Sequence, residues 1–501
     1  MIFNDLFIFE MANNHQGSIN HGKKIIDKMS ELTRKYNLSS AVKLQFRHYD
    51  TFIHPDMIND KDNPKVKRFL STRLSDDEHK ELCKYIRSKG MYVMVTPFDE
   101  LSVDLTRKCN VDILKVGSPS LFDFKLLEKI SAEYKPLIFS SGGCDLDHID
   151  KIYNFFKHRN NEFALMHCVS IYPTPPDQLN LNTITTFKRR YPDITIGFST
   201  HEEPSNCDAI KIAYSLGARI YEKHIGVETE EIKLNKYSTN PVQTENWIKS
   251  LLITKESIGE SRIISKTEKN DLNLLYRGIY INKEFKEGEE IKESDIYFAF
   301  PKHKDGVLTG DINFPIIASK DYKENDHIHF IEIPKQRRDK AKDILISYNH
   351  KVKGLLNESS IKLPLGVKME LSHHYGKEYI FNNGCFIATI FNNDEYSKKI
   401  IVLLPNQSHP EHYHKKKDET FIIMKGELIV NLSSHLKILK EGDILRIPRL
   451  TKHSFETNNG CIFEEISTTH FDDDSFYTNR EISSIERNKR KTKLINWVIT
   501  N

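Results

Sequence analysis

Eight apolar, β-rich runs, each closed by polar residues and separated by amphipathic stretches, fill the first half of the chain, and this alternation narrows its possible folds more than any other feature. The runs lie at 6–12, 41–46, 91–96, 112–117, 136–140, 163–168, 194–198 and 219–224. Helical periodicity fills 21–36, 76–89, 122–133, 146–158, 205–216 and 243–257. Asp76 to Glu78 acidify a helix start, and Gly90 and Gly217 stand where helices should stop. Eight such pairs over roughly 260 residues is the count and size of a (β/α)8 TIM barrel, whose active site gathers at the C-terminal strand ends.

That rule says where chemistry-bearing residues should collect. The run ends carry Glu10 with Asn13, Asn14 and His15, then Lys43 and Gln45, Thr96 and Asp99, Lys115 and Ser118. Ser140 and Ser141, His167 and Ser170, Ser199 and His201, and Glu222 and His224 follow. The two-residue period of a strand puts Glu222 and His224 on one face above Ile220. A neighbouring strand ending in His201 would complete a divalent-metal site with open positions. Lys43 and Lys115 with the hydroxyls of Thr96, Ser118, Ser140, Ser141 and Ser199 make a cationic cup suited to a phosphate monoester or carboxylate. A metal beside it could polarise a carbonyl. Phosphoenolpyruvate plus an aldehyde sugar would satisfy both halves, but a phosphosugar isomerase or aldolase would use a similar cup, and spacing leaves these tied.

Composition excludes several classes. A net charge of +3 demands no nucleic-acid or membrane partner, and the basic clusters at 335–342 and 487–493 are expected to be solvated. No apolar run approaches the roughly 20 residues needed to span a bilayer, and the N-terminus lacks a secretory pattern. Seven scattered cysteines without a CxxC pair argue against a disulfide framework. The expected compartment is the reducing cytoplasm.

A second constellation lies near the C-terminus. His412-Tyr-His414-Lys-Lys-Lys-Asp-Glu419 places two imidazoles on one strand face with an acid able to return on the next, and a turn and a proline then precede His453.

Residues 6–333 resemble the sialic acid synthase family. The resemblance rests on Glu10-Met-Ala-Asn-Asn14-His15-Gln-Gly17, Val42-Lys43-Leu-Gln45, Thr96-Pro97-Phe98, Leu114-Lys115-Val-Gly117-Ser118 and Ser140-Ser-Gly142. His167-Cys168-Val-Ser170-Ile-Tyr172-Pro-Thr-Pro175, Gly197-Phe-Ser199-Thr-His201 and Glu222-Lys-His224 complete it. It implies condensation of phosphoenolpyruvate with N-acetylmannosamine or a related open-chain aldose, giving a nonulosonic 2-keto-3-deoxy acid and phosphate. It also implies Mn²⁺ or Mg²⁺ on His201 and His224. Lys43, Thr96, Lys115, Ser118, Ser140, Ser170 and Ser199 would line the phosphoenolpyruvate pocket, and Glu10, Gln45, Tyr172 and Glu222 would face the sugar. Glu10 and Glu222 are both candidates to take the proton from the attacking water.

The following small strand-rich unit resembles the antifreeze-like (SAF) domain of these synthases, which implies a homodimer with this unit capping the partner's barrel. About residues 360–470 resemble the cupin family, which implies a second divalent metal on His412, His414, Glu419 and His453. The expected domains are 1–260 barrel, 261–275 linker, 276–334 SAF cap, 335–355 linker, 356–480 cupin and 481–501 basic tail.

Three positions depart from the family pattern. Phe300-Pro301-Lys302 stands where an arginine contacts the sugar's N-acyl group, Lys233-Leu234-Asn235 replaces Gly-Pro-Asp, and Ser170 replaces asparagine. The alternatives are therefore a synthase for a non-acylated or shorter 2-keto-3-deoxy sugar acid, or a non-catalytic sugar-binding or regulatory dimer. The cupin could be a sugar isomerase or epimerase, or only a dimerisation module.

Overall fold

A computed structural model describes residues 2–499 except 59, 61, 260–261, 311, 313, 330–339 and 434. The strands β1 (Leu6–Glu10), β2 (Ser39–Phe46), β3 (Tyr92–Pro97), β4 (Ile113–Val116), β5 (Leu137–Ser140), β6 (Phe163–Cys168), β7 (Thr195–Thr200) and β8 (Ile220–His224) form a closed barrel in sequence order. Its seam is the parallel pairing of β8 with β1, Leu6 opposite Ile220 and Glu10 opposite His224. The barrel expected from the alternation is therefore present, with strand boundaries close to those read from the runs.

Period two divides each strand between two apolar environments. Outward residues such as Phe7, Phe9, Val42, Leu44, Val93, Val95, Leu114, Phe139, Leu165 and Tyr221 pack under the helices in the main core. Inward residues Leu6, Ile8, Ala41, Met94, Ile113, Ile138, Ala164, Met166 and Ile220 fill a separate plug inside the barrel. Each fully buried Leu, Ile or Met among them contributes roughly 1.5–3 kcal/mol of transfer free energy, so the lower half of the barrel is a packed core and polar chemistry is confined to the upper half. The helix Asp76–Ser88 starts at a capping box formed by Ser75 and Glu78. Gly197 has a specific job: a Cβ there would lie 2.8 Å from the Ile220 side chain and 2.9 Å from its carbonyl. Only glycine lets β7 sit close against β8, which sets the spacing of the histidines at their ends.

The chain divides into two compact units, Met1–Ile263 and Ile264–Asn501. The second opens with the helix Lys266–Asn273, inside the stretch expected as a linker. Strands Gly278–Ile281, Glu290–Ile291, Ile296–Ala299 and Ile316–Ile317 then form two small sheets around Ile279, Ile281, Ile291, Ile316 and Tyr322. The boundary at 334 and residues 335–339 of the second expected linker lie outside the described residues. The remainder of that stretch is not a linker: it lies in the helix Lys340–Glu358, which buries Leu345, Tyr348, Val352 and Leu356 against the β domain.

That β domain is an antiparallel arrangement with two apolar clusters, one around Phe386 and Val402, the other around Phe421 and Phe463. Residues 481–501, expected as a basic tail, instead contain the strand Lys491–Ile495, paired with Lys368–His373. Thr492 and Leu494 point inward while the intervening Lys493 stays exposed, so charge masked a strand alternation. Among the described residues no helix is long and apolar enough to cross a membrane, and all seven cysteines are free thiols.

Candidate active site and metal centres

The inward positions just above the apolar plug are Glu10, Lys43, Lys115 and Glu222, all buried. Lys43 Nζ lies 2.5 Å from Glu10 Oε2 and 2.7 Å from Glu222 Oε1, and Lys115 Nζ donates to Glu222 Oε2 at 3.0 Å. Two ammonium groups and two carboxylates thus balance, so the lysines of the cup sit in an ion network. Burial works against the Glu222 charge, but the two lysines overcome it and hold the carboxyl well below the usual range. Burial raises the Glu10 carboxyl, and the Glu222 charge raises it further. Burial, aided by Lys43, lowers the Lys115 ammonium. The two acids are therefore driven apart, which distinguishes a fixed anion from a proton carrier.

Hydroxyls surround this network. Ser199 Oγ donates to Glu222 Oε1 at 2.9 Å. Ser118 Oγ donates to the Ser140 carbonyl at 3.3 Å and accepts from Gly142 N at 3.0 Å. The Ser140 hydroxyl is buried without a hydrogen-bond partner, and Thr96 is buried at the end of β3. A side chain at Gly142 would fall on the hydroxyls of Ser118 and Ser170, so the loop after β5 can close only without one. Gln45 is half-buried on β2.

At the ends of β7 and β8 the rings of His201 and His224 stand with centroids 5.2 Å apart. His201 Nδ1 donates to the Val169 carbonyl at 3.0 Å, which leaves Nε2 with a free lone pair. Burial lowers both imidazoles, His201 to about 4, so both are neutral donors near pH 7. Tyr172 packs on His201 at 4.2 Å, and Tyr237 closes on His224 at 5.1 Å. Two neutral imidazoles this close together fit two of the ligands of a divalent ion.

Some run-end residues face elsewhere. His167 points out of the barrel: its Nε2 meets the Leu179 carbonyl at 2.7 Å and its ring stacks on Phe198. Asp99 is a helix N-cap, accepting from Ser102 N. Asn14 braces the loop after β8 through the Ile225 carbonyl and Ser238. Sequence reasoning missed Cys168, an inward residue whose Sγ lies 4.0 Å from His201 Nδ1; counting by two from Met166 would have found it. Tyr237 sits in a loop and carries no such signal.

In the β domain, His412, His414, Glu419 and His453 converge as the spacing predicts, their ligand atoms all within 4.8 Å of one another. His412 Nδ1 donates to the Pro410 carbonyl and His453 Nδ1 to the Thr451 carbonyl, at 3.1 and 3.0 Å, and His414 Nδ1 to that of Asp474. With Nδ1 carrying the proton, each Nε2 is a bare lone pair. Yet His414 Nε2 lies 3.3 Å and His453 Nε2 3.2 Å from the Glu419 oxygens, close but not hydrogen-bonded. Lys417 already pairs with Glu419 Oε1, but the bare lone pairs of the two rings still face that carboxylate, and this donor set fits a divalent metal. Beside it Lys399 and Lys417 both reach Glu465 Oε1 at 2.9 Å, and His374, His409 and Tyr477 line the same cavity.

Comparison with known proteins places these sites in a context. The profile of the NeuB family matches residues 36–262, and that of a cupin domain matches residues 399–462. The crystal structure of a protein assigned to spore coat polysaccharide biosynthesis, protein E from Chromobacterium violaceum, is 34% identical. It aligns with a TM-score of 0.57 over 66% of this chain and 99% of that one. The N-acetylneuraminate-9-phosphate synthase of Mus musculus is 28% identical across 50% of this chain and 70% of its own length. The N,N'-diacetyllegionaminic acid synthase of Campylobacter jejuni is 25% identical across 64% and 98%.

Proposed function

The chain belongs to the NeuB family, and from that premise we propose that it condenses phosphoenolpyruvate with an open-chain aldose to give a nonulosonic 2-keto-3-deoxy acid and phosphate. The observation that carries this reading is the buried network of Lys43, Glu222, Lys115 and Glu10 set beside the His201–His224 pair in one barrel mouth. The reaction joins C3 of phosphoenolpyruvate to the aldehyde carbon, adds water oxygen at C2 and breaks the C2–O bond to phosphate.

Lys43 and Lys115 hold the substrate's anionic groups, with hydroxyls from Thr96, Ser118, Ser140, Ser170 and Ser199 completing the cradle. Gln45 and Tyr172 orient the sugar. His201 and His224 would hold a divalent ion, Mn²⁺ or Mg²⁺, which would supply Lewis acidity when bound. Glu222 stays ionised and fixes both lysines. Glu10, with its raised carboxyl, takes the proton from the attacking water and later returns it to solvent. The cupin holds a second divalent ion on His412, His414, Glu419 and His453. The unit at 276–334 caps the barrel of a second copy in a homodimer, in keeping with the family resemblance, and the free thiols suit a cytoplasmic setting.

One observation favours an acceptor without an N-acyl group. Lys302, near the position of the family's acyl-contacting arginine, is committed to its own loop, donating to the carbonyls of His303 at 2.9 Å and Gly306 at 3.1 Å. Phosphate release from phosphoenolpyruvate, followed over a panel of aldoses with Mn²⁺, tests the proposal. Release with at least one aldose and none without is the expected result; silence across the panel overturns it. Turnover of mannose but not N-acetylmannosamine would favour the non-acylated acceptor.

A further inference from the structure

One half-buried cation in the barrel mouth has no role in the network above. Arg47 follows β2 directly, and period two places it on the same side as Lys43 and Gln45. Its guanidinium carbon lies 3.8 Å from the ring centroid of Phe98, 4.3 Å from that of Phe69 and 5.8 Å from that of Phe52. Nη2 donates to Gln45 Oε1 at 2.9 Å, and the Tyr49 hydroxyl adjoins the group. Nε and Nη1 are buried with no hydrogen-bond acceptor.

The nearby acids are already engaged. Glu10 is held by Lys43 and by Ala12 N at 2.7 Å. Asp99 accepts from His48 N, Ser102 N and Ser102 Oγ, each at 2.8 Å. Among the described residues no carboxylate lies within ion-pair distance of Arg47. An aromatic box steadies a guanidinium but leaves its in-plane N–H edge unsatisfied. Burying N–H groups unmatched is costly, and a guanidinium's donors suit the oxygens of a planar or tetrahedral anion.

We infer that Arg47 forms an anion-binding subsite beside Gln45 that selects an acceptor aldose bearing a phosphate ester or a carboxylate. The inference rests on the condensation proposed above, because Gln45 marks the acceptor end of the pocket and Lys43 and Lys115 serve the other substrate. It adds what that reading lacks, a charged group on the sugar and the residue that reads it.

The test uses the full-length protein with Mn²⁺ and phosphoenolpyruvate. Three matched acceptors are compared, a neutral aldohexose, its 6-phosphate and its uronic acid, in wild type, Arg47→Gln and Arg47→Lys. One anionic acceptor should exceed the neutral parent in kcat/KM by at least about tenfold, the scale of one charge-assisted hydrogen bond. That ratio should collapse in Arg47→Gln, chiefly through KM, with Arg47→Lys between the two. The phosphate and uronate arms identify the anion. Equal ratios in wild type and Arg47→Gln overturn the inference while leaving the condensation standing. Should no acceptor release phosphate, the condensation falls, and calorimetric binding of the three sugars decides the subsite alone: tighter anion binding lost in Arg47→Gln supports it, and equal binding overturns it. If Arg47→Gln fails to fold, Arg47→Lys, which keeps the cation in its box, carries the same comparison.

Discussion

Glu222 Oε1 stands 2.7 Å from Lys43 Nζ while the other oxygen of the same carboxylate receives Lys115, so one acid on β8 fixes lysines from two other strands. Removing that anion leaves Lys43 with Glu10 alone and takes from Lys115 the one carboxylate it pairs with among the described residues. Glu222→Gln should destabilise the fold by about 3–5 kcal/mol, the usual consequence of breaking a buried pair, and lower turnover at least about 100-fold. Denaturant midpoints together with phosphate release check both. A variant of unaltered stability would contradict the network.

His224→Ala tests the barrel metal. The strand's outward apolar face is untouched, so the melting transition should stay close to wild type while Mn²⁺ bound in the barrel, read by electron paramagnetic resonance, and turnover both disappear. Full activity in that variant would rule out a metal at this position.

For the cupin, His453→Ala should lower the metal content by one equivalent per chain, measured by plasma mass spectrometry. Wild type should gain thermal stability with added divalent ion, about 2.7 kcal/mol at a hundredfold excess over Kd, and the variant should not. Equal metal content in the two proteins would show that the cluster binds none.

Acid should weaken the barrel. Burial lowers both His15 and His79 to about 4, against about 6.5 in an unfolded chain. Between those values the unfolded state binds more protons, so stability is complete above about 6.5 and is lost as pH falls toward 4, at about 1.4 kcal/mol per pH unit per histidine. Urea midpoints at pH 7 and pH 5 measure the loss. His79→Phe, which keeps a ring near Phe46 (now 4.4 Å between ring centroids), should flatten the dependence; an unchanged slope would assign the effect elsewhere.

His167→Phe separates a strand-end residue from a mouth residue. The ring keeps its place on Phe198 but loses its bond to the Leu179 carbonyl. The expected result is a loss of about 1 kcal/mol in stability with turnover unaffected. A large drop in turnover would place the side chain inside the pocket after all.

The barrel was legible because both faces of its strands are apolar in long runs, and such runs are easy to locate. For the same reason their phase was hard to read: a strand buried on two sides gives no polar face to count from. His167 therefore passed for a mouth residue and Cys168 did not, although an inward Met166 fixes which is which. Lys43, Lys115, Glu222 and the histidine pair were legible as strand-end residues, but their mutual neutralisation depends on distances across the barrel that no local spacing encodes. Arg47 escaped because it lies one residue past its strand and owes its setting to Phe69 and Phe98, distant in sequence. The strand Lys491–Ile495 was hidden by its lysines, whose exposed side faces away from the apolar residues that anchor it.

The cupin imidazoles are each oriented by a main-chain carbonyl, those of Pro410, Thr451 and Asp474, and not by another side chain. A carbonyl of the backbone cannot be substituted away, so ring orientation and protonation here are inherited from the course of the loops. Drift in the surrounding sequence can recolour the cavity, while the set of the three rings survives every change short of losing a ring or rerouting the chain.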